Sequence, residues 1–396
     1  MRGKTALNQY QERLDKIRDY MVREGIDLVM FEDAEGKRDA GIRWLTGHPR
    51  DALLFLFFEP ESTVHTAAVT EKHGSASALK SLLVPWDINL AKAYSTADVL
   101  IPYSDFDRIP IKAITGAAEK LKIPHGAKIE IPPLTPYPVF LDYISELTDF
   151  DIICRKRSAV SYTQNCRAVK DSEEIAIYRK AAKITNKIID LVEKNVRSGK
   201  IKTEADAAMF IELESRKRGC DGTGFETIAA GQDRSFGIHA FPAWTGAPFA
   251  GQGLSILDFG LSLGGYTTDV TMTFVRDPFP QQQKMVNLVE KAVKLAVETL
   301  VNGYDTKLTA IVIDEIFTKQ KKRMVHAAGH GIGLDPHELP FIKCRSEENW
   351  ILSPGMVFAL EPGLYDPIYG GCRLENDFLM TETGCEKLTD AKIVYL

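Results

Sequence analysis

Apolar residues recur at helical spacing near the start of the chain: Leu14, Ile17 and Met21 share one face of a segment that Gly25 is placed to end. Asp27-Leu-Val-Met-Phe then reads as a strand. The continuous apolar run from Ala52 to Phe58, between Asp51 and Glu59, reads as a buried one. Further strand-like runs at 64–70 and 127–131 complete an α/β region of about 150 residues, a usual domain size. The basic patch Cys154-Arg-Lys-Arg-Ser leads, with no low-complexity linker, into a long helix starting near Asp171 or Ser172.

The remainder has a repeating rhythm. One helix is predicted over 172–198, ending at Gly199, and a second from a Thr203 cap to about Gly219, before strand-like sequence over 225–276. Helices near 281–302 and 307–319 follow, then strand-like sequence from 324 to the end. Two helices then strands, twice over, predicts two similar halves in one α+β domain.

Composition narrows the function classes. The 396 residues, 44% hydrophobic, suffice for two cored domains. A formal net charge of -5 gives no reason to expect nucleic acid or an anionic membrane as partner. The polar N-terminal MRGKTALNQYQERL lacks the apolar stretch of a secretory signal, and no apolar run is long enough to span a bilayer. Six cysteines with no CxxC pair fit a reduced, cytoplasmic protein.

The chemistry concentrates in the second region. Leu254 to Phe274 alternates on both sides of Gly264-Gly265, which predicts a hairpin with a two-residue turn. Leu263 then faces Tyr266, Asp258 faces Thr271, and Asp269 lies diagonal to Asp258 on the same face. Two carboxylates at a shared buried site repel unless a cation or a proton compensates; edge positions facing solvent are the alternative. Ala327-Ala-Gly-His330-Gly-Ile-Gly places an imidazole among glycines, where backbone approaches closely. Glu361 ends the apolar run Met356-Val-Phe-Ala-Leu, and Glu375 stands before another. A lone histidine is usually structural, and His48, His65, His73 and His125 are read so, whereas His239, His326, His330 and His337 all fall in such segments. One imidazole with four carboxylates suits divalent Mn, Co, Zn or Fe, and the charge suits two ions better than one. The implied reaction is hydrolysis.

These segments resemble the metallopeptidase superfamily with the pita-bread fold, family M24, which includes methionine aminopeptidase, aminopeptidase P, prolidase and creatinase. Its pattern is matched in order by Asp258, Asp269 eleven residues on, Gly329-His330-Gly-Ile-Gly, His337-Glu338, Glu361-Pro-Gly and Arg373-Leu-Glu375. Asp171-Ser-Glu-Glu-Ile-Ala-Ile-Tyr-Arg-Lys-Ala-Ala and Phe225-Glu-Thr-Ile-Ala-Ala-Gly resemble further family segments. The likeness covers residues 165–396, the catalytic domain, while 1–155, with Trp44-Leu-Thr-Gly47, resembles the creatinase-like N-terminal α/β domain. The resemblance implies that Asp258 chelates one metal, that Asp269 and Glu375 bridge two, and that His330 and Glu361 hold the second. Glu361 would also pass a proton from water to the leaving nitrogen. His239 and His337 would be catalytic through substrate binding and oxyanion stabilisation, with His326 and Arg373 either supporting the ligands or contacting substrate. Tyr365 is assigned to packing. The implied activity is Xaa-Pro cleavage by a metal-bridging hydroxide, as an aminopeptidase P or prolidase. Manganese is the first choice of ion, the substrate a small peptide and the assembly a homodimer.

The segment Gly237-Ile-His239-Ala-Phe-Pro242-Ala-Trp244 departs from the Pro-His-Gly of prolidase-like relatives and leaves the substrate pocket open. An ectoine-type amidohydrolase would share every ligand; a sulfonium lyase is disfavoured by Gly260, and a dead binding protein by the complete ligand set. Gly260-Leu-Ser262-Leu-Gly264 matches a nucleophile elbow only by letters, and Phe341 spoils an HExxH reading at His337.

Overall fold

Helix Lys4–Glu24 buries Leu14, Ile17 and Met21, and Gly25 ends it at φ +64. In this computed structural model, residues 4–58, 78–345 and 349–396 are described, and the chain divides into two units, Met1–Cys166 and Arg167–Leu396. The strand expected over 64–70 lies outside the described residues, as do His65 and His73.

The first unit is built on a mixed six-stranded sheet. Its order is Val99–Leu100, Leu79–Pro85, Ala52–Phe58, Leu28–Asp33, Lys128–Glu130 and Asp151–Ile153. Ala52–Phe58 is buried at every residue and pairs along both edges with neighbouring strands. Helix Pro110–Lys120 packs Ala113, Ile114 and Ala117 onto this sheet.

In the second unit each pair of helices backs one sheet. Ser172–Arg197, capped by Asp171, and Glu204–Lys217, capped by Thr203, pack Ile188, Val192 and Ile211 against Leu257, Phe259, Met272 and Phe274. Pro280–Val297 and Thr306–Thr318 pack Val286, Val289, Ile313 and Phe317 against Phe358, Leu360, Phe378 and Met380. Among the described residues, no helix is long and apolar enough to cross a membrane.

The hairpin forms in the expected register, with Leu263 opposite Tyr266 and Asp258 opposite Thr271. The strand reading over 225–276 needs correction in its middle. Only Ile228–Ala230 is a strand before Gly253, and residues 231–252 form an irregular loop. Pro242 and Pro248 lack the N–H a ladder requires. Buried Glu204 provides the alternative order: its carboxylate accepts from Gly231 N at 2.8 Å, Arg234 Nη1 at 2.6 Å, Thr245 N at 2.7 Å and Thr245 Oγ1 at 2.6 Å.

The four-stranded and five-stranded sheets of the second unit meet where Thr271 bridges to Glu375, with Glu375 N donating to Thr271 O at 3.2 Å. Near this junction the backbones approach too closely for side chains. A Cβ on Gly260 would lie 1.9 Å from the Thr268 carbonyl oxygen. Gly260→Ala is therefore expected to destabilise the second unit by about 1–3 kcal/mol, read from its denaturant midpoint. Wild-type stability in that variant would contradict the close approach.

Candidate metal centre

His330 sits on the short strand Gly329–Gly331, between Glu338–Ile342 and Val357–Leu360. Its neighbours must be glycine: a Cβ on Gly329 would lie 2.1 Å from Ala359 O, and one on Gly331 would lie 2.1 Å from Leu339 O. His330 Nδ1 is 3.1 Å from the Gly331 carbonyl, an acceptor only, so Nδ1 carries the proton. The Nε2 lone pair is left facing Asp269 Oδ2 at 3.7 Å, Glu361 Oε1 at 3.8 Å and Glu375 Oε1 at 4.0 Å. Burial holds this imidazole down to about 3, so it is neutral at physiological pH.

Ligand atoms of Asp269, His330 and Glu375 all lie within 4.8 Å of one another, and all three residues are buried. Asp269 follows the break after Tyr266–Thr267, and its backbone N–H donates to both oxygens of buried Asp377, at 3.2 and 3.1 Å. Glu375 accepts from Thr271 Oγ1 at 2.7 Å. Burial and then the Glu375 charge push Asp269 well above the usual carboxylate range; burial and Glu375 do the same to Glu361. Glu375 is pushed up to about 7 by burial and then by Asp258.

Asp258, on Gly253–Phe259, is arranged differently. Its Oδ2 accepts from Arg373 Nη2 at 2.6 Å, while its buried Oδ1 has no hydrogen-bond partner. An orphaned carboxylate oxygen, an imidazole lone pair and three crowded carboxylates form a donor set that fits divalent cations.

Arg373 links this centre to the irregular loop. Nη1 donates to Ile238 O at 3.0 Å and to the Tyr365 hydroxyl at 2.6 Å, and Nε donates to Thr271 Oγ1 at 2.9 Å. His326 Nδ1 lies 2.7 Å from Ala327 O, which fixes its proton there, so Nε2 accepts from the Tyr365 hydroxyl at 3.1 Å. Reading Tyr365 as packing is thus corrected, because its phenol joins Arg373 to His326 in a polar chain.

His337 is exposed, with its ring centroid 4.2 Å from that of His330. His239 is exposed in the 231–252 loop, near enough to Asp258 and His337 for its charge to act on both, and it touches none of the five acids and imidazoles directly. Thr271, Asp377 and Glu204 carry no local signal of their role in the sequence; only their tertiary partners mark them. Of the histidines read as structural, His48 is buried and His125 pairs with Asp149 at 3.4 Å on the surface.

Residues 176–382 match metallopeptidase family M24. The chain is 34% identical over 256 residues to an uncharacterized peptidase of Methanocaldococcus jannaschii, an alignment covering 64% of this chain and 70% of that one. It is 32% identical over 229 residues to the Xaa-Pro dipeptidase of Pyrococcus furiosus, covering 57% of this chain and 64% of that protein, a little under two thirds of its length. The fold matches the X-Pro aminopeptidase of Thermotoga maritima with a TM-score of 0.78 at 24% identity, over 97% of this chain and 99% of that one. It matches the prolidase of Pyrococcus horikoshii with a TM-score of 0.76 at 23% identity, over 96% and 98% of the two chains. The architecture is the expected α+β pita-bread fold, and the chain belongs to metallopeptidase family M24.

Proposed function

We propose that this protein is a dinuclear-metal hydrolase cleaving Xaa-Pro peptide bonds, of aminopeptidase P or prolidase type, acting as a cytoplasmic homodimer with manganese. The observation that carries the metal reading is the crowding of buried carboxylates around the His330 Nε2 lone pair. The relatives named for Xaa-Pro cleavage support the substrate class. In this reading the catalytic domain comprises 165–396, and 1–155 is the creatinase-like domain.

Asp258, Asp269 and Glu375 would hold one ion, and Asp269, Glu375, His330 and Glu361 the other. Bound there, the ions supply Lewis acidity that makes water nucleophilic near neutral pH and polarises the scissile carbonyl. Glu361 moves a proton from the attacking water to the departing nitrogen, a task suited to a carboxylate whose pKa burial has raised. His337 and His239 are exposed on the open side, where they can donate to the developing oxyanion. His326 and Arg373 act mainly as supports. Four Arg373 N–H groups already bond within the protein, which favours holding Asp258 and Ile238 over gripping substrate. A bond before proline lacks the amide N–H, so recognition must come from ring shape and the flanking carbonyls.

Three outcomes are expected. With Mn(II), an Xaa-Pro dipeptide or an Xaa-Pro-Xaa tripeptide is hydrolysed; cleavage of ectoine and neither peptide would replace this reading with an amidohydrolase. Asp269→Ala abolishes two-ion occupancy by metal analysis, and full activity in that variant would refute the mechanism. The third concerns protons. Because the folded pKa of Glu375 is raised from 4.5 to about 7, this carboxyl keeps its proton in the metal-free folded state across a window in which the unfolded chain loses it. Its contribution to metal-free stability is therefore full below about 4.5 and is lost as pH rises to about 7, so Glu375→Gln should flatten that part of the stability profile. Ion binding releases protons over the same range, measurable by calorimetry in buffers of different ionisation enthalpy.

A further inference from the structure

The loop that carries His337 has little regular structure of its own, yet both of its flanks end on buried charge. On one side Asp335 Oδ2 accepts from Arg167 Nη2 at 2.7 Å. On the other, the Glu338 carboxylate, next in sequence to His337, accepts from the same Arg167 nitrogen and pairs with Lys170 Nζ at 3.4 Å. Glu338 Oε1 also accepts from Asp335 N at 3.1 Å, closing the loop on itself. Gly333 is required beneath it, since a Cβ there would lie 2.0 Å from Glu338 Oε1. The loop is thus pinned two residues before His337 and immediately after it.

The cations are themselves fixed. Lys170 N donates to Gly355 O at 2.9 Å, and Val169 bridges to Met356, next to the strand Val357–Leu360 that pairs with His330. Arg167, Lys170 and Glu338 are all buried. Burying three such charges costs desolvation that packed apolar side chains would avoid, so the cluster is a poor device for stability alone. Its distinctive property is directional: it sets where the Pro336-His337 segment between Asp335 and Glu338 points.

We propose that Arg167 and Lys170 are positioning residues that hold His337 over the candidate metal centre, acting through Glu338 and Asp335. The proposal rests on the reading above in which His337 contacts substrate. The His337 ring packs against that of His330 with centroids 4.2 Å apart and planes tilted by 49°, so a shift of its loop moves a substrate donor relative to the ligand set. Near-attack geometry is sensitive to displacements of that size.

The test uses the full-length, metal-loaded protein and a double-mutant cycle. Glu338→Gln is expected to lower kcat on the cleaved Xaa-Pro peptide about tenfold or more with metal content unchanged. Arg167→Lys, which keeps the charge, is expected to lose less than Arg167→Met. In a His337→Ala background, Glu338→Gln should cost almost nothing further, because its effect is transmitted through that imidazole. Equal losses in both backgrounds would overturn the proposal, since a general structural defect is additive. Should Glu338→Gln fail to fold, Lys170→Met enters the same cycle. A readout without substrate separates this idea from the activity it rests on. Amide hydrogen exchange at Gly333 and Asp335, whose N–H groups bond within the loop, should accelerate in Glu338→Gln. Unchanged exchange would sink the clamp even in an active enzyme. Faster exchange in a protein that cleaves no peptide would keep the clamp and remove only the assigned reaction.

Discussion

Mutual repulsion among buried carboxylates is the constraint around which the second unit is organised. Asp258, Asp269, Glu361 and Glu375 would each be ionised in water at neutral pH; here burial lifts the pKa of all four, and neighbouring carboxylates lift Asp269, Glu361 and Glu375 further. Among the described residues, Arg373 is the buried cation placed against them, and it reaches only Asp258 directly. The remaining acids are left to protons or to metal. The four- and five-stranded sheets meet at Thr271 and Glu375 and aim side chains from both, while Gly260, Gly329 and Gly331 admit no Cβ because the Thr268, Ala359 and Leu339 carbonyls lie against them within the hairpin and the five-stranded sheet.

Within that frame the polar groups are oriented by single-purpose acceptors. The Gly331 carbonyl places the proton of His330 on Nδ1, and the Ala327 carbonyl does the same for His326. Thr271 accepts from Arg373 and so must turn its own hydrogen toward Glu375. Tyr365 likewise accepts from Arg373 and donates to His326. Each hydroxyl has one hydrogen to give, so the direction of the whole chain follows from the guanidinium, which can only donate. Rotational choice is removed from the supports before any ligand arrives, which is the physical content of preorganisation.

How much of this was legible in the sequence depended on the range of the interaction. The hairpin register follows from a two-residue turn and alternation, and both are local, so Asp258 opposite Thr271 could be read directly. Helix starts at Asp171 and Thr203 were equally local, set by capping within four residues. The loop 231–252 was misread as strand because what orders it is Glu204, on a helix 27 residues before Gly231 and 41 before Thr245. Tyr365 was assigned to packing because nothing adjacent in sequence shows that Arg373 and His326 converge on its hydroxyl. Asp377 follows Glu375 and Asn376, and nothing local distinguishes it from them, its partner being the backbone of Asp269, 108 residues away.

Glu204 and Glu338 show what those long-range partners have in common. Both are buried carboxylates at the first residue of a regular element, the helix Glu204–Lys217 and the strand Glu338–Ile342, and each lies beside a loop that bears an exposed histidine, His239 or His337. An apolar side chain can fill space beneath such a loop, but it cannot fix the rotation of a peptide plane. An ionised carboxylate has about four acceptor directions, and Glu204 uses them on two backbone amides, a hydroxyl and a guanidinium. Loops without ladders need some other source of directional bonds, and a desolvated acid surrounded by donors supplies several from one atom cluster. The same group that is costly at the metal centre, where acids face one another, becomes an organiser wherever every neighbour is a donor. The difference between the two settings is the partner set and not the burial.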